Sequence, residues 1–130
     1  MSEHAFLQTP IPVERAKQMN PVTLAFVGDA VYTLLVRTRL ALSSGCKTGE
    51  LNRLASEEVS AHGQSDSLER ILPLLTEEEN DIFHRGRNAK KPTKSKNASV
   101  GEYVRSTGFE AVIGYLYLTG QTDRINELFG

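Results

Sequence analysis

Apolar residues recur at helical spacing along most of the chain, and the breaks between these runs carry start and stop signals. Asn20 followed by Pro21 opens the first long run: an Asn side chain can cap free backbone N–H groups, and Pro suits the first helical position. A helix is predicted over 20–42, ended by Ser43, Ser44 and Gly45. Thr48 is read as the cap of a second helix through Leu51, Leu54, Ala55 and Val59, with a break at Gly63 and Ser65. A third helix through Leu68, Ile71 and Leu72 stops near Pro73. Thr76 and Glu79 make a capping box, with acids at the positive end of a fourth helix that runs to about Arg87.

Residues 85–99 carry too many charges, with Pro92 among them, to be packed, so they are read as the longest loop. Ser99 and Glu102 are a second capping box, opening a helix that carries Val104, Phe109, Val112, Ile113 and Leu116. Gly120 closes it, and Thr122 is read as the cap of a short final helix. Residues 1–19, with Pro10 and Pro12, read as a loosely attached arm with one helical turn at 13–17. No run alternates apolar and polar residues long enough to ask for a strand. The fold class is all-α, with an N-terminal arm at 1–19 and one domain at 20–130.

Composition narrows the class of protein without naming an activity. The chain has 130 residues, 39% hydrophobic and 24% charged, which suits one globular domain with its own core. Cys46 is the only cysteine, so an intrachain disulfide and a cysteine-rich zinc site are excluded. No secretory signal is visible and no apolar stretch is long enough for a bilayer, so a cytoplasmic protein without membrane contact is expected. A formal net charge of −1 argues against a generically basic nucleic-acid binder and turns attention to how the charge is distributed.

Two acids stand alone in apolar surroundings. Asp29 is the one acid of LAFVGDAVYTLLVR, and Glu110 the one acid of STGFEAVIGYLYL. Both helices read as buried on all sides, where an ionised carboxylate costs several kcal/mol unless a cation or donors compensate it. Gly28 and Gly108 suggest a close crossing of the two helices that would bring both acids to one magnesium or manganese ion. Pairing with an arginine such as Arg37 or Arg105, with a purely structural role, stands open beside that reading.

Positive charge is concentrated in one segment. Of the twelve residues 85–96, six are Arg or Lys and none is acidic. Arg85, Arg87, Asn88, Lys90, Lys91, Lys94 and Lys96 are therefore candidates for contact with a phosphate backbone without sequence readout. Full engagement of the six cations would give a logarithmic salt slope on the order of −5 per monomer. Other signals carry less. GCKTG lacks the spacing and preceding strand of a phosphate loop, His4, His62 and His84 have no zinc or triad spacing, and the helical aromatics read as packing residues.

LAFVGDAVY at 24–32 resembles the signature helix of the ribonuclease III endonuclease domain family, and FEAVIGYLYL at 109–118 resembles that family's second acidic helix. RGRNAK at 85–90 and STGFEA at 106–111, without an appended double-stranded-RNA-binding domain, look like its Mini-ribonuclease III branch. The resemblance implies an all-helical homodimer that uses magnesium to hydrolyse double-stranded RNA, leaving 5′-phosphate and 3′-hydroxyl ends. It also implies a role in maturation of the 23S ribosomal RNA precursor, with assistance by a ribosomal protein left open. By position, Asp29 and Glu110 match the family's catalytic, metal-binding acids. Ala25 and Thr107 stand where the full-length enzymes carry two further acids, which leaves the number of metal ions open. It also keeps a second class of answer in view, a noncatalytic double-stranded-RNA-binding or scaffolding dimer of the same fold.

Overall fold

Local capping chemistry sets most helix ends. The computed structural model describes residues 9–43, 45, 47–89 and 100–130. Its regular elements are α1 (Val13–Lys17), α2 (Pro21–Ser43), α3 (Thr48–Val59), α4 (Ala61–Ile71), α5 (Glu77–Asn88), α6 (Val100–Leu118) and α7 (Thr122–Phe129), with a 3-10 turn at Leu72–Leu74. Among the described residues there is no strand, as expected for an all-α chain.

Asn20 caps α2, its Oδ1 accepting from the Val22 N–H at 2.8 Å. The box at the start of α5 is complete: the Glu79 N–H donates to Thr76 Oγ1 at 3.1 Å and the Thr76 N–H to Glu79 Oε1 at 2.9 Å. Gly120, at φ 74°, ends α6 in a Schellman motif, the Gly120 N–H donating to the Tyr117 carbonyl and the Gln121 N–H to that of Leu116.

Three boundaries differ from expectation, each for a local reason, while α5 ends at Asn88, close to the expected Arg87. Thr48 and Thr122 are the first helical residues of α3 and α7, and the positions before them, Lys47 and Gln121, give no side-chain cap. The break in the middle of the chain falls at Ser60, whose hydroxyl accepts from the Gly63 N–H at 3.1 Å, so Gly63 and Ser65 lie inside α4. Residues 85–88 are the last turn of α5, where Arg85 and Arg87 suit the carbonyl end of the helix. The expected box at Ser99 lies outside the described residues.

α6 is the hub. Phe109, Val112, Ile113 and Leu116 are fully buried, and α2 and α5 close on it from two sides. The α2–α6 approach is close enough that a Cβ on Gly28 would stand 1.8 Å from the Glu110 carbonyl oxygen, and one on Gly114 1.9 Å from that of Leu24. The crossing partner of Gly28 is therefore Gly114. Gly108 faces α5 instead, where a Cβ would meet the Phe83 carbonyl oxygen at 2.6 Å. Tyr32, Phe109 and Phe129 form an edge-to-face cluster joining α2, α6 and α7, with ring centroids 5.0 Å apart for Tyr32–Phe109 and 5.2 Å for Phe109–Phe129.

Residues 9–19, the described part of the expected arm, are tied down rather than loose. The Ile11 N–H donates to the Leu118 carbonyl, Ala16 is fully buried, and Arg85 donates to the carbonyls of Lys17 and Met19.

Candidate active site

α2 buries one stripe, Leu24, Ala25, Gly28, Tyr32 and Val36, against the rest of the chain. Its other face is uncovered, with Phe26 79% exposed, Leu34 52% and Leu42 84%. The expectation of a helix buried on all sides is corrected here: an apolar outer face reads the same in sequence as a core face. Asp29 lies on the uncovered side and is exposed, so its carboxylate keeps contact with water. The α2 backbone at this turn is braced by Thr33, whose hydroxyl donates to the Asp29 carbonyl at 2.9 Å.

Glu110 is half-buried on α6. Gly28, the residue before Asp29, rests against the backbone of Glu110, so the two acids are attached on either side of one helix contact. Arg105, one of the two arginines considered as a partner, meets another acid, its Nη2 donating to Glu69 Oε1 at 2.6 Å, and Arg37 is exposed. A neutral donor meets Glu110, Gln64 Nε2 donating to Glu110 Oε2 at 3.0 Å. Ala25 and Thr107 are each 2% exposed, and the Thr107 hydroxyl turns back to donate to the Tyr103 carbonyl. Neither position supplies a ligand.

Among the described residues no cluster of three or more His, Cys, Asp and Glu side chains could hold a metal. A pair of hard carboxylate oxygens, one side open to water, still fits magnesium or manganese, which keep several water or substrate oxygens in their shells. An exposed Asp29 and a Glu110 whose Oε2 accepts from the neutral amide of Gln64 both suit that chemistry.

Of the basic candidates, Arg85 is half-buried and spends its guanidinium on two backbone carbonyls, at 2.7 and 3.0 Å, which gives it a structural role. Arg87 and Asn88 end α5, Arg87 Nε donating to Asn88 Oδ1 at 3.3 Å. Lys90, Lys91, Lys94 and Lys96 lie outside the described residues.

An open apolar groove of about 900 Å³ runs along the uncovered face of α2. Phe26, Val31, Leu34, Leu35, Tyr117 and Ile125 line it, and Asp29 borders it. No helix among the described residues is long and apolar enough to cross a membrane.

Sequence reasoning read Glu79 as a capping residue and missed that it is a buried acid. Glu79 is 3% exposed and is held by Arg124 through Nε–Oε2 at 2.9 Å and Nη2–Oε1 at 2.8 Å. Burial pushes its carboxyl up, but Arg124 and the Thr76 donors outweigh that and hold it below the usual carboxylate range. Gln64, 2% exposed, was missed as well. Its one sequence signal was a long polar residue on the inward side of α4, between Ala61 and Leu68.

Residues 22–121 match the family model described as the ribonuclease III domain. The chain is 46% identical over 110 residues to Mini-ribonuclease 3 of Symbiobacterium thermophilum, covering 85% of each chain. It is 45% identical over 114 residues to Mini-ribonuclease 3 of Enterococcus faecalis, covering 86% of each. A crystal structure of a Fusobacterium nucleatum protein superposes with a TM-score of 0.78 at 32% identity, covering 87% of this chain and 90% of that one.

Proposed function

The chain belongs to the ribonuclease III domain family, in its Mini-ribonuclease 3 branch, and on that premise we propose that this endoribonuclease is a magnesium-dependent homodimer acting on double-stranded RNA. Its substrate is the 23S ribosomal RNA precursor and its compartment the cytoplasm. The observation that carries the catalytic reading is the contact of Gly28 with the Glu110 backbone, which attaches Asp29 and Glu110 to one helix crossing.

Asp29 and Glu110 would hold the cation, magnesium or manganese, through carboxylate oxygens. When bound, the cation supplies electrostatic stabilisation to the phosphodiester undergoing hydrolysis. Water would be the nucleophile and the ribose 3′-oxygen the leaving group, so that a P–O bond to water forms as the bond to the 3′-oxygen breaks, giving 5′-phosphate and 3′-hydroxyl ends without a covalent enzyme intermediate. Asp29 faces solvent, so an RNA strand can reach it, and Glu110 stays fixed in the helical hub.

The uncovered face of α2 supports the homodimer. A protruding Phe26 and an apolar groove share that face, which is the self-complementary arrangement that an isologous two-fold contact needs. Arg87 and Asn88 lead from α5 into the basic segment 90–99, which would run along phosphates.

Incubation of the protein and of Asp29→Asn and Glu110→Gln with long RNA duplex and magnesium tests the reading by gel electrophoresis. Strand scission by the parent and its loss in both variants is the expected result. The buried Ala25 and Thr107, which withhold two acids from the site, favour the second reading of a noncatalytic RNA-binding dimer. Binding by the parent without scission would establish that second reading.

A further inference from the structure

We infer that Gln64 is a positioning residue for Glu110, fixing the carboxylate in its cation-binding orientation without neutralising it. The inference rests on the reading of Glu110 as a metal ligand.

Gln64 sits on α4, and its side chain crosses to α6 while almost wholly excluded from water. Its amide is engaged at both ends. Nε2 donates to Glu110 Oε2 at 3.0 Å and to the Val59 carbonyl at 2.9 Å, and Oε1 accepts from the Ser106 hydroxyl at 2.7 Å. Both N–H groups of a primary amide are thereby used, and the two acceptor-only partners, the Val59 carbonyl and the Glu110 carboxylate, tell the nitrogen end from the oxygen end. The N–H that points at Glu110 is held by a backbone carbonyl at the α3–α4 elbow and by a hydroxyl one turn before Glu110 itself.

The kind of donor matters. A guanidinium in this place would orient Glu110 equally well, but it would cancel the charge that a cation needs and compete for the same oxygens. A neutral amide orients the carboxylate and leaves its charge intact, as hydrogen-bonding partners of ligating carboxylates generally do. Arg105, the nearest arginine in sequence, is paired with Glu69 instead. In a site where Ala25 and Thr107 contribute no carboxylates, orientation of the remaining ones carries more of the affinity.

The test uses the full-length chain carrying Gln64→Met, a side chain of similar length with no amide, beside Ser106→Ala and Glu110→Gln. Manganese is titrated into each 15N-labelled protein, and paramagnetic broadening of the amide signals around Gly28 and Glu110 is followed. In parallel, the magnesium concentration giving half-maximal cleavage of duplex RNA is measured. Expected for Gln64→Met is a rise of about tenfold or more in both half-saturating concentrations, with the maximal rate at saturating magnesium and the RNA affinity in calcium retained. Ser106→Ala shifts both in the same direction by less, and carries the test alone should Gln64→Met not fold.

If Glu110→Gln abolishes the broadening while neither Gln64→Met nor Ser106→Ala shifts it, Gln64 has no positioning role. If Glu110→Gln itself leaves the broadening unchanged, the metal-ligand reading has failed, and the inference falls with it.

Discussion

Gly28 and Glu110 touch backbone to backbone: no side chain, not even a methyl, fits between the α carbon of one and the carbonyl of the other. This contact fixes the spacing of α2 and α6 and, with it, the relation of the two candidate acids.

Gly28→Ala is therefore expected to force the helices apart. A Cβ at 1.8 Å from a backbone oxygen has no flexible neighbour to displace, so the cost is at the upper end of overpacking, about 3 kcal/mol or more. Urea denaturation monitored by circular dichroism would measure it, and cleavage activity should fall in the same variant even at temperatures where it stays folded. A change below about 0.5 kcal/mol, the range of ordinary surface substitutions, would show that the crossing is looser than described.

Glu79 and Arg124 give the fold a pH-sensitive tie. The Glu79 carboxyl lies below its ordinary value in the folded chain, so the pair stabilises above the usual carboxylate range and is lost as pH falls through the folded value. Arg124→Ala leaves a buried carboxylate without its partner and is expected to cost about 3–5 kcal/mol near neutrality. Denaturation midpoints across an acid series would show the deficit shrinking as pH falls through the depressed carboxyl value of the folded parent, where its Glu79 takes up a proton as well. A deficit independent of pH would assign the loss to packing alone.

Most of the fold was legible in the sequence where a few adjacent residues decide the outcome. Asn20–Pro21, Thr76 with Glu79, and Gly120 each complete their hydrogen bonds within a turn, so their positions announced the helix ends. Thr48 and Thr122 misled because a Thr is equally acceptable as the first helical residue. What depends on distant partners was illegible: the burial of Glu79 requires Arg124, and the holding of Glu110 requires Gln64 and Ser106. Arg85 looked like one more cation of a basic stretch, because nothing local marks the carbonyls of Lys17 and Met19 as its partners. Asp29 was expected to be buried because an apolar stripe does not reveal whether its own chain covers it.

The basic residues should separate into two classes. Arg87→Ala, Lys90→Ala and Lys91→Ala together are expected to weaken duplex RNA binding and flatten the logarithmic salt dependence by up to about one unit per lost phosphate contact. Arg85→Ala is expected instead to lower thermal stability by releasing the segment before α2. Fluorescence anisotropy at several salt concentrations and thermal melts distinguish the two. An unchanged salt slope in the triple variant would remove those residues from the RNA interface.

Phe26 is the most direct probe of assembly. Phe26→Asp puts a charge at the centre of the exposed apolar face and should convert a dimer to monomer in sedimentation velocity, with the helical circular dichroism spectrum retained. Sedimentation of the parent as a monomer at working concentrations, or dimers unaffected by the substitution, would place the contact elsewhere.

The shared cation is the claim on which the mechanism stands, and anomalous scattering locates it most directly. Crystals soaked in manganese, with duplex RNA present, are expected to show a peak about 2.0–2.2 Å from carboxylate oxygens of both Asp29 and Glu110. Manganese bound to neither residue, or to one of them with the other beyond any common coordination shell, would contradict it.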